Sequence, residues 1–449
     1  MPALPLELWA AILRALMSMD RPATLDIANE PFADDYMMYR PDDTQAWMQT
    51  RRTATCVCKS WRRLALPILH EVVVIYGADQ LAAVAQAFET KQPVRARDSH
   101  AEAEVEEHDA SATPRGALLR ELYIREHPEL LSQIMHRGLI SGTLPEGSSV
   151  EQNILRILAH SPRLVVFSCG MQAVTLASVP RILDALGASS ASLRSLDFRW
   201  AHASVVGALW RVLAKALTAF PQLESLAAPK LTSYSPNITR ALETVALSAL
   251  RAARLRTLVV SWPVYRLLLM VRSMSALELP ALDEVHVTPV HAFGETVDAF
   301  ARAPLARDAL NAKVVSFAFN TTVAWDLPRL RAVFDFLACF PSLRELSVAA
   351  RGVAQQGPDP AVGHPALTSF TIDCMRTPGR HDTALIDALV GDLLEGDFPQ
   401  LRRVCVVPRG GKRYLGINGN AGWEDWSKRL AEKGIVLDLH AGYAVPGAH

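Results

Sequence analysis

Pro341-Ser342-Leu343-Arg344-Glu345-Leu346-Ser347-Val348 is the stretch on which the fold turns. Leu343, Leu346 and Val348 make a Leu-x-x-Leu-x-apolar unit, and its second half alternates with the period of two that a strand with one buried face requires. Pro341 stands where a preceding helix must stop and the chain turn into the strand. The same unit begins at Leu119, Leu164, Leu193, Leu223, Leu255, Leu282, Val314, Leu367 and Leu401, and Ile435 opens a last strand of similar pattern. After a first gap of 45 residues the starts are separated by 29, 30, 32, 27, 32, 29, 24, 34 and 34, the regularity of a repeat. Six units carry the same punctuation two residues before the first position: Pro162, Pro221, Pro280, Pro341, Pro365 and Pro399.

Between the strands run helical patterns such as Leu209, Val212, Leu213, Ala216, Leu217 and Phe220, or Leu330, Val333, Phe334, Leu337 and Phe340. One repeat is therefore a strand plus a helix. Alone it cannot bury its apolar face, whereas stacked copies can, at roughly 1.5 to 3 kcal/mol per buried Leu before entropy is counted. The expected fold is α/β: a small all-α N-terminal part, then a right-handed α/β solenoid with a parallel sheet over residues 115–449. Positions four and six of each unit point to the helices, so positions three and five line the opposite, inner face. Candidate contact residues there are Asp197, Thr257, Glu284, His286, Glu345 and Arg403, with Arg199 just beyond its strand.

Ahead of the repeats, Leu4, Leu8, Ile12, Leu13 and Leu16 share one side of a short helix whose first turn suits Pro5. Residues 20–43 change character. Pro22, Pro31 and Pro41 interrupt regular structure and Asp34, Asp35, Asp42 and Asp43 make the stretch acidic, which predicts a surface insertion. One helical pattern is expected from Thr44 to Leu69, with Trp47, Val57, Trp61, Leu64 and Ile68 apolar and Arg51, Arg52, Arg62 and Arg63 between them. His70 to Tyr76 reads as a buried strand and 78–90 as a helix, while the acid-rich stretch 91–114 has too few apolar residues to order. The expected domains are thus 1–69, 70–114 and 115–449.

Composition bounds the function. With 449 residues, 50% hydrophobic and 20% charged, the chain lies in the ordinary globular range. Lys+Arg and Asp+Glu both number 46, so the long-range positive field used by non-specific nucleic-acid and anionic-membrane binders is missing. Six cysteines are too few for a disulfide scaffold and point to a reducing compartment, cytoplasmic and/or nuclear. The apolar stretch Leu8 to Leu16 lacks a basic flank and a cleavage site, so a helix rather than a signal peptide is expected, and no apolar run approaches the roughly 20 residues of a membrane span. Cys56 and Cys58 lie on different helix faces without a second pair at zinc spacing. No Gly-x-Ser-x-Gly or His-Glu-x-x-His occurs, and Gly410-Gly411-Lys412 completes no P-loop. No catalytic residue, metal or cofactor is expected.

The repeat resembles the leucine-rich repeat, which implies strands on the concave side of a horseshoe and helices on the convex side. It departs from that family after the strand, where Ala201, Leu231, Pro263 and Arg351 replace the capping Asn or Cys. The N-terminal segment resembles an F-box, carried by Leu4-Pro5-x-Glu7-Leu8 with Ile12, Leu13 and Leu16, then Val57-Cys58-Lys59-Ser60-Trp61-Arg62-Arg63-Leu64. With Leu66-Pro67-Ile68-Leu69-His70-Glu71 running into Val72-Val73-Val74-Ile75, it is similar to the large fungal F-box families. The resemblance implies a non-enzymatic substrate receptor of an SCF-type cullin-RING ubiquitin ligase. Leu4, Pro5, Leu8, Ile12, Leu13, Leu16, Val57, Cys58, Trp61 and Leu64 would bind a Skp-family adaptor, and through it cullin, and the solenoid would hold an unknown protein substrate.

Overall fold

The computed structural model describes residues 5–18, 41–89, 115–125, 147–171, 174–199, 201–203, 206–231, 250–272, 277–288, 309–324, 336–351, 363–374, 390–391, 393–408 and 421–439. The expected insertion, apart from its last residues, and the acid-rich stretch 91–114 lie outside them, as does most of the helical pattern from Leu330 to Phe340.

Three helices come first: α1 (Leu6–Ser18), α2 (Pro41–Cys56) and α3 (Lys59–Glu71). The single helix expected from Thr44 to Leu69 is in fact two. Cys58, with φ −160° and ψ 169°, is extended, and its Sγ accepts the Trp61 N–H as the cap of α3. The first of the two starts earlier than expected, at Pro41, because a proline at the first helical position gives up only an amide with no intrahelical partner. Leu13, Met17, Ala54, Ala65 and Ile68 form the core of this unit. Arg51 ties all three helices: its Nη1 donates to the Met17 carbonyl at 3.3 Å and its Nη2 to the Ile68 carbonyl at 2.7 Å, with its guanidinium 4.7 Å from the Trp47 ring centre.

From β1 (Val72–Tyr76) the chain enters the repeats. Next come α4 (Gly77–Glu89), β2 (Glu121–Arg125), α5 (Gly147–Ala159), β3 (Val166–Gly170), α6 (Val179–Leu186), β4 (Ser195–Asp197) and β5 (His202–Ala203). Then follow α7 (Val206–Ala219), β6 (Ser225–Ala227), β7 (Lys230–Leu231), β8 (Leu250–Arg251), β9 (Thr257–Ser261), α8 (Trp262–Arg272), β10 (Leu277–Glu278) and β11 (Glu284–Thr288). The last are β12 (Val314–Ala324), β13 (Glu345–Arg351), β14 (Ser369–Cys374), β15 (Arg403–Pro408), α9 (Ala421–Glu432) and β16 (Val436–Leu439).

Among the described residues twelve strands make one sheet in the order β1-β2-β3-β4-β6-β9-β11-β12-β13-β14-β15-β16, every pairing parallel. Sheet order is chain order, so each repeat lies against its neighbours in sequence, as a solenoid requires. The fold is an α/β, leucine-rich-repeat-like solenoid. In units with a leading Leu from Leu119 to Leu401, the strand begins two residues after that Leu. Backbone pairing reaches back past these starts: Arg194 N–H donates to the Val165 carbonyl, Glu224 to Arg194, Arg256 to Glu224 and Asp283 to Arg256, at 2.8–2.9 Å.

The turns into the strands explain the proline punctuation. Leu223, Leu343 and Leu401 donate their N–H to the carbonyls of Phe220, Phe340 and Phe398, three residues earlier. Proline occupies the second position of each four-residue turn, where its fixed φ fits. The phenylalanine before it is buried. In place of an asparagine ladder, other side chains bridge successive turns. Ser189 Oγ donates to the Ser161 carbonyl at 2.8 Å and accepts the Leu164 N–H. His364 Nδ1 accepts the Ala366 N–H, which leaves Nε2 to donate to the Phe340 carbonyl at 3.2 Å.

On the helical side one apolar cluster runs from Ile75 to Ile435. Trp262, Tyr265, Phe317, Phe336 and Phe340 stack edge and face at its centre, with ring centres 5.3–6.1 Å apart. Here the repeat slips: Val285 pairs with Val314 but His286 with Ser316, so Val315 is an extra residue and position five of one unit faces position three of the next.

Candidate functional site

The inner face of the sheet has a central row in continuous register: Tyr123, Ser168, Asp197, Ala227, Val259, His286, Ser316, Glu345, Ser369 and Arg403. Access along it is uneven. At the β1 end α2 lies on this face, Trp47 packing with Val72 and Tyr123 while Met48, Val74 and Val166 flank them. Tyr123, Ser168, Asp197, Ala227 and Val259 are all 0% exposed.

Asp197 and Arg199, expected on an open recognition surface, are closed off from solvent at 0% and 4% exposure. They form part of a buried polar chain. Ser168 Oγ donates to Asp197 Oδ2 at 2.7 Å, and Arg125 Nη1 donates to Ser168 Oγ at 2.8 Å. Arg199 gives Asp197 its backbone N–H at 3.0 Å and its Nε and Nη2 at 3.1 Å each. Burial raises the Asp197 carboxyl, but the Arg199 charge and hydrogen bonds, the Arg125 charge and Ser168 outweigh it and hold the carboxyl below the usual carboxylate range. With every carboxylate oxygen engaged, the correction to the sequence expectation is physical: these charges answer each other across repeats instead of facing a partner.

Thr257, Glu284, His286, Glu345 and Arg403 lie on one face of β9, β11, β13 and β15, spread over five strand spacings with β12 and β14 between them. Thr257 pairs with Glu284 and both are half-buried. His286 is buried, its Nδ1 2.6 Å from Ser316 Oγ and its Nε2 3.8 Å from Glu284 Oε2. Glu345 and Arg403 are exposed, and Arg403 Nε donates to Asp438 Oδ2 at 2.5 Å. Loss of water first, and then the charge of Glu284, push the Glu345 carboxyl up, while Arg403 and Arg344 pull it down.

The helical unit divides its expected contact residues in the same way. Leu8, Ile12 and Val57 stand 50%, 44% and 58% exposed, costly positions for large apolar side chains with nothing among the described residues to cover them. Leu8 and Ile12 share a face of α1, four residues apart. Trp9 and Trp61 meet with ring centres 5.8 Å apart, which brings the start of α1 to the start of α3 and to the exposed Val57-Cys58 junction. Pro5 is exposed; Leu16, Trp61 and Leu64 are half-buried. Leu13, expected among the contact residues, is fully buried in the core of the unit and cannot reach a partner. Leu4 lies outside the described residues.

Sequence reasoning placed Trp47 and Arg51 in a helical pattern without giving them a role, and passed over Trp9, Arg125 and Ser168. Trp47 and Arg51 lie four residues apart on one face of α2, and an arginine repeating in phase with an apolar stripe was the available signal. Nothing local marked Arg125 or Ser168. Among the described residues no cluster of three or more His, Cys, Asp or Glu could hold a metal ion, and no helix is long and apolar enough to cross a membrane.

No protein-family model matches the chain, and no curated protein matches its sequence. Among solved structures it is similar to the leucine-rich repeat-containing protein LegL7 from Legionella pneumophila, with a TM-score of 0.36 and 11% identity over 71% of this chain and 83% of that one. The parallel sheet in chain order, rather than this distant likeness, defines the solenoid.

Proposed function

We propose that the chain is the substrate-recognition subunit of an SCF-type cullin-RING ubiquitin ligase, its N-terminal helices binding a Skp-family adaptor and its solenoid a protein substrate. One observation carries this reading: Leu8, Ile12 and Val57 are exposed around a tryptophan pair on a helical unit whose interior is otherwise well filled. A helical face of that kind is completed by a groove on another protein. Large aliphatic and aromatic anchors supply most of the binding energy at such contacts. The chain would then contribute no catalytic residue and no cofactor. Holding substrate lysines near the transfer machinery raises their effective concentration, and the ligase supplies the chemistry. The residue usage that argues for a reducing compartment fits action in the cytoplasm or nucleus.

The test is co-purification of the full chain with a Skp-family adaptor. Leu8→Asp/Val57→Asp changes only exposed side chains, so the variant should keep its melting temperature and lose about tenfold or more in adaptor affinity, about 1.4 kcal/mol or more. Absence of binding by the unaltered chain, or equal binding by the variant, refutes the reading.

A second reading, a repeat scaffold that binds partners without ubiquitin transfer, is favoured by the seating of Trp47 on the inner face, which makes the helices an end cap for the solenoid. Adaptor binding without cullin-dependent turnover of any bound partner would select it.

A further inference from the structure

The start of α3 carries charges of the wrong sign for its place. A helix N-terminus is the positive end of the helix dipole and favours carboxylates, and α1, α4 and α9 place Glu7, Asp79 and Glu424 in their first turns. The first turn of α3 has no acidic residue; it holds Lys59 and Arg62, and Arg63 follows. Lys59 precedes Arg62 and Arg63 by three and four residues, the spacings at which like charges repel along a helix. All three are exposed and turned away from the buried Ala65 and Ile68. Arg52, one turn before the end of α2, adds a fourth exposed cation at the same end of the α2–α3 pair. Among the described residues none of the four makes an ion pair, whereas Arg14 on α1 is answered by Glu71 at 2.8 Å. Glu7 is the carboxylate that stands against them at this end, and Asp42 and Asp43 open α2 at its other end. Val57 lies between Arg52 and Lys59 in the chain, and the Trp9–Trp61 contact brings the start of α1, with Leu8, to the same junction. Unrelieved repulsion beside exposed apolar side chains breaks two local rules at one spot, which marks a surface shaped by what binds it.

We propose that this junction is the docking surface for an acidic patch with an apolar centre on a partner protein, whose carboxylates lie against Arg52, Lys59, Arg62 and Arg63 and whose apolar side chains cover Leu8 and Val57. This assignment rests on the receptor reading for the face on which the partner sits, and specifies the partner's chemistry. Charge complementarity selects an acidic occupant. The exposed aliphatic side chains select protein over nucleic acid, because a phosphate backbone has nothing with which to cover them. The same cations would speed association at low salt and lose that advantage as salt screens them.

The experiment titrates the full chain with three fluorescein-labelled probes, a short peptide of Leu and Glu, one of Leu and Lys, and a short single-stranded DNA, followed by anisotropy at low and high salt. The Leu/Glu peptide should bind, weaken as salt is added, and bind about tenfold or more weakly to Arg52→Gln/Arg62→Gln/Arg63→Gln. That variant removes like-charge repulsion, so its melting temperature should not fall. Leu8→Asp/Val57→Asp should lose the peptide as well, since it takes away the apolar contact and adds repelling charge. No binding of the Leu/Glu peptide, equal binding by the arginine variant, or tighter binding of the Leu/Lys peptide or the DNA overturns the proposal. The receptor reading is scored apart, with the Skp-family adaptor in place of the peptides. Adaptor binding that ignores both salt and the arginine variant keeps that reading and overturns this proposal. An adaptor that never binds, while the Leu/Glu peptide behaves as expected, overturns the receptor reading and leaves the acidic docking surface standing.

Discussion

Replacing Asp197 by Asn keeps the shape of the side chain and removes the charge on which two buried arginines depend. In the folded chain Asp197 accepts from Ser168 Oγ at 2.7 Å, from Arg199 N–H at 3.0 Å and from the Arg199 Nε and Nη2 at 3.1 Å. At an effective dielectric of about 20, unit charges at that separation attract by about 5 kcal/mol, and the amide of Asn would turn donors toward donors. Burial leaves water little chance to compensate, so Asp197→Asn should cost about 3–5 kcal/mol, the range for breaking one side of a buried pair. The loss is read as a lower urea midpoint at neutral pH with unchanged slope. Neutral pH is the right condition. The depressed Asp197 carboxyl contributes fully above its ordinary value near 3.8, and that contribution is lost only as pH falls through the lower folded value. Arg125→Met/Asp197→Leu/Arg199→Met, which removes all three charges, should recover to within about 1–2 kcal/mol of the parent. A cost under about 1 kcal/mol for Asp197→Asn, or a triple variant no better than the single one, would sink the account of this network as a self-neutralising cluster.

Three further outcomes are expected. A Cβ at Gly116 would stand 2.4 Å from the His160 carbonyl oxygen, whereas one at Gly187 meets nothing within 4 Å. Gly116→Ala should therefore cost about 1–3 kcal/mol and Gly187→Ala add about 0.4–1, both read from thermal melts. Burial holds the His364 imidazole below the usual histidine range despite its bonds to the Phe340 and Leu337 carbonyls, so its stabilisation is present above about pH 6.5 and lost as pH falls through the folded value; His364→Gln should flatten that acid limb in urea midpoints. Cys58 caps α3 through a weak acceptor at 3.4 Å, so Cys58→Ala should lower stability by about 0.5 kcal/mol while Cys58→Ser holds or raises it, by thermal melt.

The strand starts were legible because every repeat answers the same local demand: a buried Leu such as Leu343 ends the turn, and alternation begins two residues later. The break at Val57-Cys58 was not, since cysteine is an uncommon cap and neither residue is a turn former. Alternation correctly assigns Asp197 and Glu345 to one face, but it carries no information on what lies above that face. Asp197 finds Ser168 29 residues away and Arg125 beyond it, contacts that appear only when strands take their register. The same holds for Trp47, whose periodicity marks it as buried and whose partners Val72 and Tyr123 belong to other elements. For Leu8 and Leu13 a common apolar stripe hid opposite fates, because on a thin helical unit only part of a stripe finds a neighbour.

The anchoring of α2 on the first strands gives the molecule the mechanics of a lever. Strands in a sheet are spaced by about 4.8 Å, so eleven steps from β1 to β16 carry the array roughly 50 Å along its own curve. With Trp47 clamped against Val72 and Tyr123, a tilt of the helical unit is transmitted rather than absorbed. A rotation of about 5° at that end displaces the last strand by about 4 Å, close to one strand spacing. Any protein gripping the N-terminal helices would thereby aim whatever rests on the far strands.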